Sequence, residues 1–158
     1  MIDRVIDNVE SELADNGVYA SVTSGTSMQP LFKTNRDMIV IVPPKGELKK
    51  YDVVLYKVAT GKYVLHRIVK VLPDKYLIRG DNTYKLEHIE KGRILAVLTE
   101  FIRKGKKCKV TERSYRLYSR IWNFIYPVRF LYVKSRALLY RIYKIIFKRK
   151  KTKLNENR

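Results

Sequence analysis

Apolar and polar positions follow three different periods along this chain. Ile2, Val5, Ile6, Val9 and Leu13 recur at three- and four-residue spacing with charges between them, which predicts an amphipathic helix over residues 2–15. Asn16-Gly17 closes it, the glycine supplying a left-handed cap. The apolar stripe is expected to pack on the rest of the chain, because the opposite face is acidic. From Val18 the period drops to two. Strands are expected at residues 38–42, 52–58, 63–72, 76–79 and 93–102, after a shorter alternating run at 18–22. The breaks fall at Pro43-Pro44, Thr60-Gly61, Pro73-Asp74, Gly80-Asp81-Asn82 and Lys104-Gly105-Lys106. Short strands with turn signals every ten or so residues predict a mainly β fold, an antiparallel barrel or sandwich. No internal repeat is visible.

Past residue 111 the period returns to that of a helix. Residues 113–126 and 127–149 both read as helical, with Pro127 suited to a first turn. In the second helix Leu131, Leu138, Leu139, Ile142, Ile145 and Ile146 fall on one side at 100° per residue. Lys134, Arg141, Lys144 and Lys148 fall on the other. Trp122, Tyr132, Tyr140 and Tyr143 add rings of the kind that favour a lipid–water boundary. The division expected from these patterns is a β-rich domain over residues 1–111 and a basic, aromatic helical tail over 112–158. The tail is expected to lie in the plane of a membrane surface. A helical hairpin packed on the barrel is the alternative.

Charge sharpens that division. Of 34 Lys and Arg and 15 Asp and Glu, residues 1–102 hold 15 and 13, and residues 103–158 hold 19 and 2. The net charge of +19 therefore belongs almost wholly to the tail. A block of this sign calls for an anionic partner, acidic lipid or nucleic acid. The single Cys108 and two histidines exclude a disulfide framework and a structural zinc site of the usual composition. Residues 1–15 are acidic and carry no apolar core of a signal peptide. No run reaches the roughly 20 apolar residues that a spanning helix needs. Peripheral association, on the cytoplasmic face, is the expected location.

The candidate chemistry lies in two stretches of the β-rich part. Ser24-Gly25-Thr26-Ser27-Met28-Gln29-Pro30 is a hydroxyl-rich turn after an alternating run, a place where a small polar side chain is held rigidly and still reached. Leu65-His66-Arg67-Ile68-Val69 is followed by Gly80-Asp81-Asn82. Together they read Ser-Met-x-Pro, then His-Arg-Ile-Val, then Gly-Asp-Asn. This order resembles the type I signal peptidases over about residues 18–102. LexA-type self-cleaving repressors share the Ser-Met element but usually lack the last box. The pairing of His66 with Arg67 resembles the endoplasmic-reticulum and archaeal forms, in which His stands where most bacterial forms have Lys.

The resemblance implies a fold of coiled antiparallel sheets and a serine endopeptidase that cleaves after small residues in an extended leader or signal segment. It implies Ser27 as nucleophile and His66 as general base. Serine needs a base to become nucleophilic, and an ordinary histidine is mostly neutral at pH 7. Strand neighbours point to opposite faces, so His66 is expected to face Ser27 and Arg67 to face away. Lys62 and Lys70 are the rival bases. An acid is expected to orient the imidazole, and both Asp81 and Glu87 are candidates. Glu87 departs from the Asp that the His-type relatives carry after the Gly-Asp-Asn box. The backbone N–H of Ser27 is the expected oxyanion donor. Many relatives have a hydroxyl where this chain has Gly25, and Ser24 or Thr26 is available to replace it. Met28 and Pro30 are expected to shape the turn and line the cleft. No cofactor or metal is called for. The rival functions are a catalytically degenerate peptide- or lipid-binding module and a nucleic-acid binder acting through the tail.

Overall fold

The computed structural model describes the backbone of residues 3–156 and, within it, the side chains of residues 9–136, 138–140, 143 and 144. An N-terminal helix α1 (Asp3–Asn16) is followed by strands β1 (Tyr19–Val22), β2 (Met38–Val42), β3 (Val53–Lys57), β4 (Tyr63–Val71), β5 (Lys75–Arg79) and β6 (Glu87–Glu90). A short 3-10 turn (Lys91–Arg93) leads into β7 (Ile94–Arg103), β8 (Lys106–Lys109) and two helices, α2 (Arg113–Phe124) and α3 (Tyr126–Glu156). The mainly β expectation holds. One antiparallel sheet runs in the order β1-β2-β7-β3-β4-β5-β6, with β8 also paired to β7, and curls into a half-barrel.

β3 explains how one sheet supports two cores. Its run Val53-Val54-Leu55-Tyr56 is buried on both faces. Val53 and Leu55 join a cluster with Ile39, Ile41, Leu98 and Phe101, while Val54 and Tyr56 join another with Ile68, Ile78 and Ile94. The first cluster is capped by Val9 and Leu13 of α1, so the helix docks by its apolar stripe as its pattern predicts. Ile2, Val5 and Ile6 of that stripe lie outside the described side chains. Glu10, on the wet side of α1, accepts hydrogen bonds from Lys57 Nζ at 3.0 Å and Tyr63 Oη at 2.6 Å.

The chain divides into two compact units, one through Asn123 and one from Phe124 onward. The expected boundary at residues 111 and 112 falls at the start of α2, but α2 belongs with the β-body. Tyr115 and Ser119 are buried, and Tyr115 packs on Phe101 with ring centroids 5.7 Å apart. α2 therefore packs by one side on the β-body. Trp122, expected among the rings at a lipid boundary, is half-buried, and its Nε1–H donates to the Asp81 carbonyl at 2.9 Å.

α3, taken by itself, is a 31-residue helix. Val128, Leu131, Leu138, Leu139, Tyr132, Tyr140 and Tyr143 are all exposed. Lys134 lies over the Phe130 ring and Arg136 over the Tyr132 ring, at 4.6 and 5.7 Å. The expected stripe positions Ile142, Ile145 and Ile146, and the basic positions Arg141 and Lys148, lie outside the described side chains. No helix among the described residues is long and apolar enough to cross a membrane.

Candidate active site

Ser27 sits in a turn that the preceding strand does not hold alone. Thr23, buried just past β1, receives the amide of Asn35 and gives its own amide to Asp37, and its hydroxyl donates to the carbonyls of Lys33 and Asp37. Asp37 has no exposed surface and is gripped by Arg36 Nε at 2.6 Å and Nη2 at 2.8 Å. The Arg36 hydrogen bond holds its carboxyl at about 2, below the usual carboxylate range. Within the turn Gln29 N donates to Thr26 O, and Phe32 N to Met28 O. Gly25 takes φ +80, the left-handed region that glycine enters without penalty. That conformation is a physical reason for glycine at this position. Ser24, Thr26 and Pro30 are exposed, whereas Met28 is buried in the core beneath.

His66 and Arg67, adjacent on β4, point to opposite faces as their spacing predicts. Both are buried. His66 shares its face with Tyr56. The Tyr56 hydroxyl donates to Glu87 Oε2 and lies 3.1 Å from His66 Nδ1. Glu87 Oε2 is 3.5 Å from the same nitrogen. A phenol has one proton. Since Tyr56 gives it to Glu87, its oxygen accepts from His66 Nδ1–H, and Nε2 carries the lone pair. Burial pulls the His66 pKa below 6.5, with Glu87 and then Asp81 pulling the other way, so the imidazole is neutral at pH 7. Burial, reinforced by the bond to Glu87, pushes the Tyr56 phenol far up, which keeps it a donor at every working pH.

Gly80 brings the hydroxyl turn and the imidazole together. A Cβ at Gly80 would stand 2.7 Å from the Ser27 carbonyl oxygen and 3.0 Å from His66 Nε2. Those two atoms are therefore no farther apart than these two short distances laid end to end. The neighbouring Asn82 N–H donates to the same Ser27 carbonyl at 2.7 Å. The Ser27 main-chain carbonyl and His66 Nε2 thus flank Gly80, which has no side chain to stand between them.

Asp81 serves a different partner. Its oxygens accept from Arg67 Nε and Nη2 at 2.8 and 2.7 Å. Burial alone would lower the Arg67 pKa, but Asp81 overcomes this and raises it. Of the two candidate acids, Glu87 is the one joined to His66, through Tyr56. Tyr56 itself was missed by sequence reasoning. It is the polar-tipped residue of an otherwise apolar buried strand, and that is the signal it offers.

Ser27 also lines a groove of about 460 Å³. One wall is β1 (Tyr19, Ser21, Val22) and the other is the start of β4 (Tyr63, Val64, Leu65). β1 pairs with β2. β5 joins β4 from Arg67 onward, which leaves residues 63–66 paired to β3 alone among the described residues. Two strand edges thus face the groove. Ser24, Met28 and Lys62 line it, whereas Thr26, Pro30 and His66 are not among its walls. Among the described residues no cluster of His, Cys, Asp or Glu is arranged to hold a metal ion. No family model matches the chain, and no curated protein matches it.

Proposed function

We propose that this chain is a serine endopeptidase that cleaves an extended leader or signal segment, working in the manner of the type I signal peptidases its motifs resemble. The observation that supports the reading is that the Ser27 main-chain carbonyl and His66 Nε2 lie on either side of Gly80. An extended peptide lies in the groove between the edges of β1 and β4, adding main-chain hydrogen bonds as a strand does. Ser27 Oγ attacks the scissile carbonyl and gives its proton to Nε2. The oxyanion is met by backbone N–H at the turn. The imidazolium keeps its Nδ1–H on Tyr56, whose own proton is held by Glu87, so the positive charge is answered two bonds away. Nε2 then protonates the leaving amine. Water, deprotonated by the same nitrogen, releases the acyl group and restores Ser27.

A peripheral place on an anionic bilayer belongs to the same reading. On α2 the exposed Leu117 and Ile121 stand among the exposed Arg113, Arg116 and Arg120, an apolar face with a cationic border. α3 presents exposed leucines and tyrosines with Lys134 and Lys144.

The test of the peptidase is cleavage of peptides with small residues before the scissile bond, followed by mass spectrometry. Wild type is expected to cut, and Ser27→Ala and His66→Ala to lose activity by at least about a thousandfold. Full cutting by both variants would end the peptidase reading. No cutting by wild type, with retained peptide binding, would favour the degenerate module. Salt-sensitive flotation with phosphatidylglycerol vesicles, lost in Leu117→Ser with Ile121→Ser, is expected for the membrane face. Duplex binding without vesicle binding would replace it with the nucleic-acid reading.

A further inference from the structure

Away from the Ser–His pair, the densest polar cluster is built around Arg67. Besides Asp81, this guanidinium reaches the Tyr51 carbonyl at 2.9 Å, Ser119 Oγ at 2.8 Å and Tyr115 Oη at 3.2 Å. The last two come from α2. The same helix sends two more donors to Asp81: Tyr118 Oη to its carboxylate at 3.1 Å and Trp122 Nε1 to its carbonyl at 2.9 Å. Beyond Gly80 on the other side, Arg79 Nη2 donates to Asn123 Oδ1 at 3.2 Å. Helix α2 therefore holds the residues flanking Gly80 in both directions. A buried ion pair is a poor source of net stability, and an apolar helix contact would anchor α2 as well. What polar contacts add is direction.

The direction leads to the serine. The Asp81 carbonyl and the Asn82 N–H belong to one peptide group. Trp122 donates to its oxygen, and its N–H donates to the Ser27 carbonyl at 2.7 Å. A peptide group is planar and stiff, and hydrogen bonds in series polarise one another. Tilting that plane moves the Ser27 backbone against His66 Nε2.

We infer that α2 braces the catalytic turn, with Trp122 and Tyr118 acting as positioning residues for Ser27 through the Asp81–Asn82 peptide. The inference rests on the peptidase reading. Trp122 lies 41 residues from Asp81 in sequence, so the brace ties the basic helical segment to the chemistry of the β-body. A face of α2 docked on lipid would be rigidly coupled to the nucleophile.

Trp122→Phe tests it. A phenyl ring remains to stack on Tyr118, whose ring lies 5.9 Å from Trp122 at 16° in the wild type, while the N–H and part of the indole are lost. Cleavage of a soluble peptide is expected to lose about tenfold in kcat with KM within about twofold. The Asn82 amide is expected to exchange its hydrogen faster while amides of β3 keep their protection. Ser114→Ala, on the exposed first turn of α2 and away from the residues flanking Gly80, is expected to leave kcat unchanged. Equal kcat in wild type and Trp122→Phe would overturn the brace, as would an equal loss in Ser114→Ala. A wild type that cuts nothing, with Asn82 exchange still faster in Trp122→Phe, would overturn the peptidase reading and leave the hydrogen-bond chain standing.

Discussion

Replacing Tyr56 with Phe removes one oxygen from between an acid and a base. Tyr56 has no exposed surface and His66 is 7% exposed, so water does not readily take the place of the lost hydroxyl. His66 Nδ1–H then has no acceptor at 3.1 Å, and the nearest remaining one is Glu87 Oε2 at 3.5 Å. A buried donor left unpaired costs about 1–3 kcal/mol. Glu87 closes part of the gap, so the lower half of that range is expected, about 1–2 kcal/mol in urea unfolding. The ring contact with His66, 6.2 Å between centroids, survives the change. The kinetic effect comes from the tautomer. With only the more distant Glu87 as acceptor at Nδ1, a share of the imidazole carries its proton on Nε2, where it cannot act as base. A fall in kcat of about 10- to 100-fold is expected, less than removal of a triad acid costs. A direct contact with Glu87 also raises the His66 pKa, so the acid limb of kcat/KM moves to higher pH than in wild type. Michaelis kinetics between pH 5 and about 8 measure both effects. Unchanged kcat, an unmoved acid limb and unchanged unfolding free energy together would refute the relay.

Gly80→Ala places a methyl 2.7 Å from backbone at Ser27, which the turn relieves only by moving away from His66. Kinetic loss of at least about tenfold, outrunning any change in KM, is expected from peptide cleavage. Asp81→Ala leaves Arg67 buried without its carboxylate, and urea unfolding should show a loss of about 3–5 kcal/mol. Equal stability to wild type would contradict the pairing. Asp37, held at about 2 against an unperturbed 3.8, contributes on the order of 2 kcal/mol. The sign follows from the lowered pKa: the contribution is complete above pH 3.8 and fades as pH falls toward about 2. An acid unfolding curve of Asp37→Asn that runs parallel to wild type through that window would contradict it. His66, whose pKa is lowered by burial, works in the same direction, with stability falling as pH drops below 6.5.

The strands with clean periodicity were legible to within a residue or two. Residues 38–42 form β2 with the expected bounds, because Met-Ile-Val-Ile-Val admits little else between its breaks. β6 and β8 escaped. Glu87-His88-Ile89-Glu90 buries only Ile89, and Lys106-Lys107-Cys108-Lys109 buries nothing fully. Edge strands with one wet face and charged tips carry the composition of loops. The opposite orientations of His66 and Arg67 followed from strand geometry alone. Whether Asp81 or Glu87 attends His66 did not, because the answer depends on Tyr56, supplied by a neighbouring strand. Nor could local pattern show that α2 turns inward. Tyr115, Tyr118, Ser119 and Trp122 line one side of a helix rich in arginine, and only the buried Arg67–Asp81 pair explains why that side is polar and aromatic at once.

With the Nε2 lone pair of a buried, neutral His66 as the base for Ser27, as we propose, the pH profile of kcat/KM for peptide cleavage is expected to show a single acid limb with its midpoint below 6.5, a plateau through pH 8 (about the ordinary working range), and no activity at any pH in Ser27→Ala. A profile still climbing toward about pH 10, the range of an ordinary amine base, or cleavage that persists in Ser27→Ala, would contradict that role.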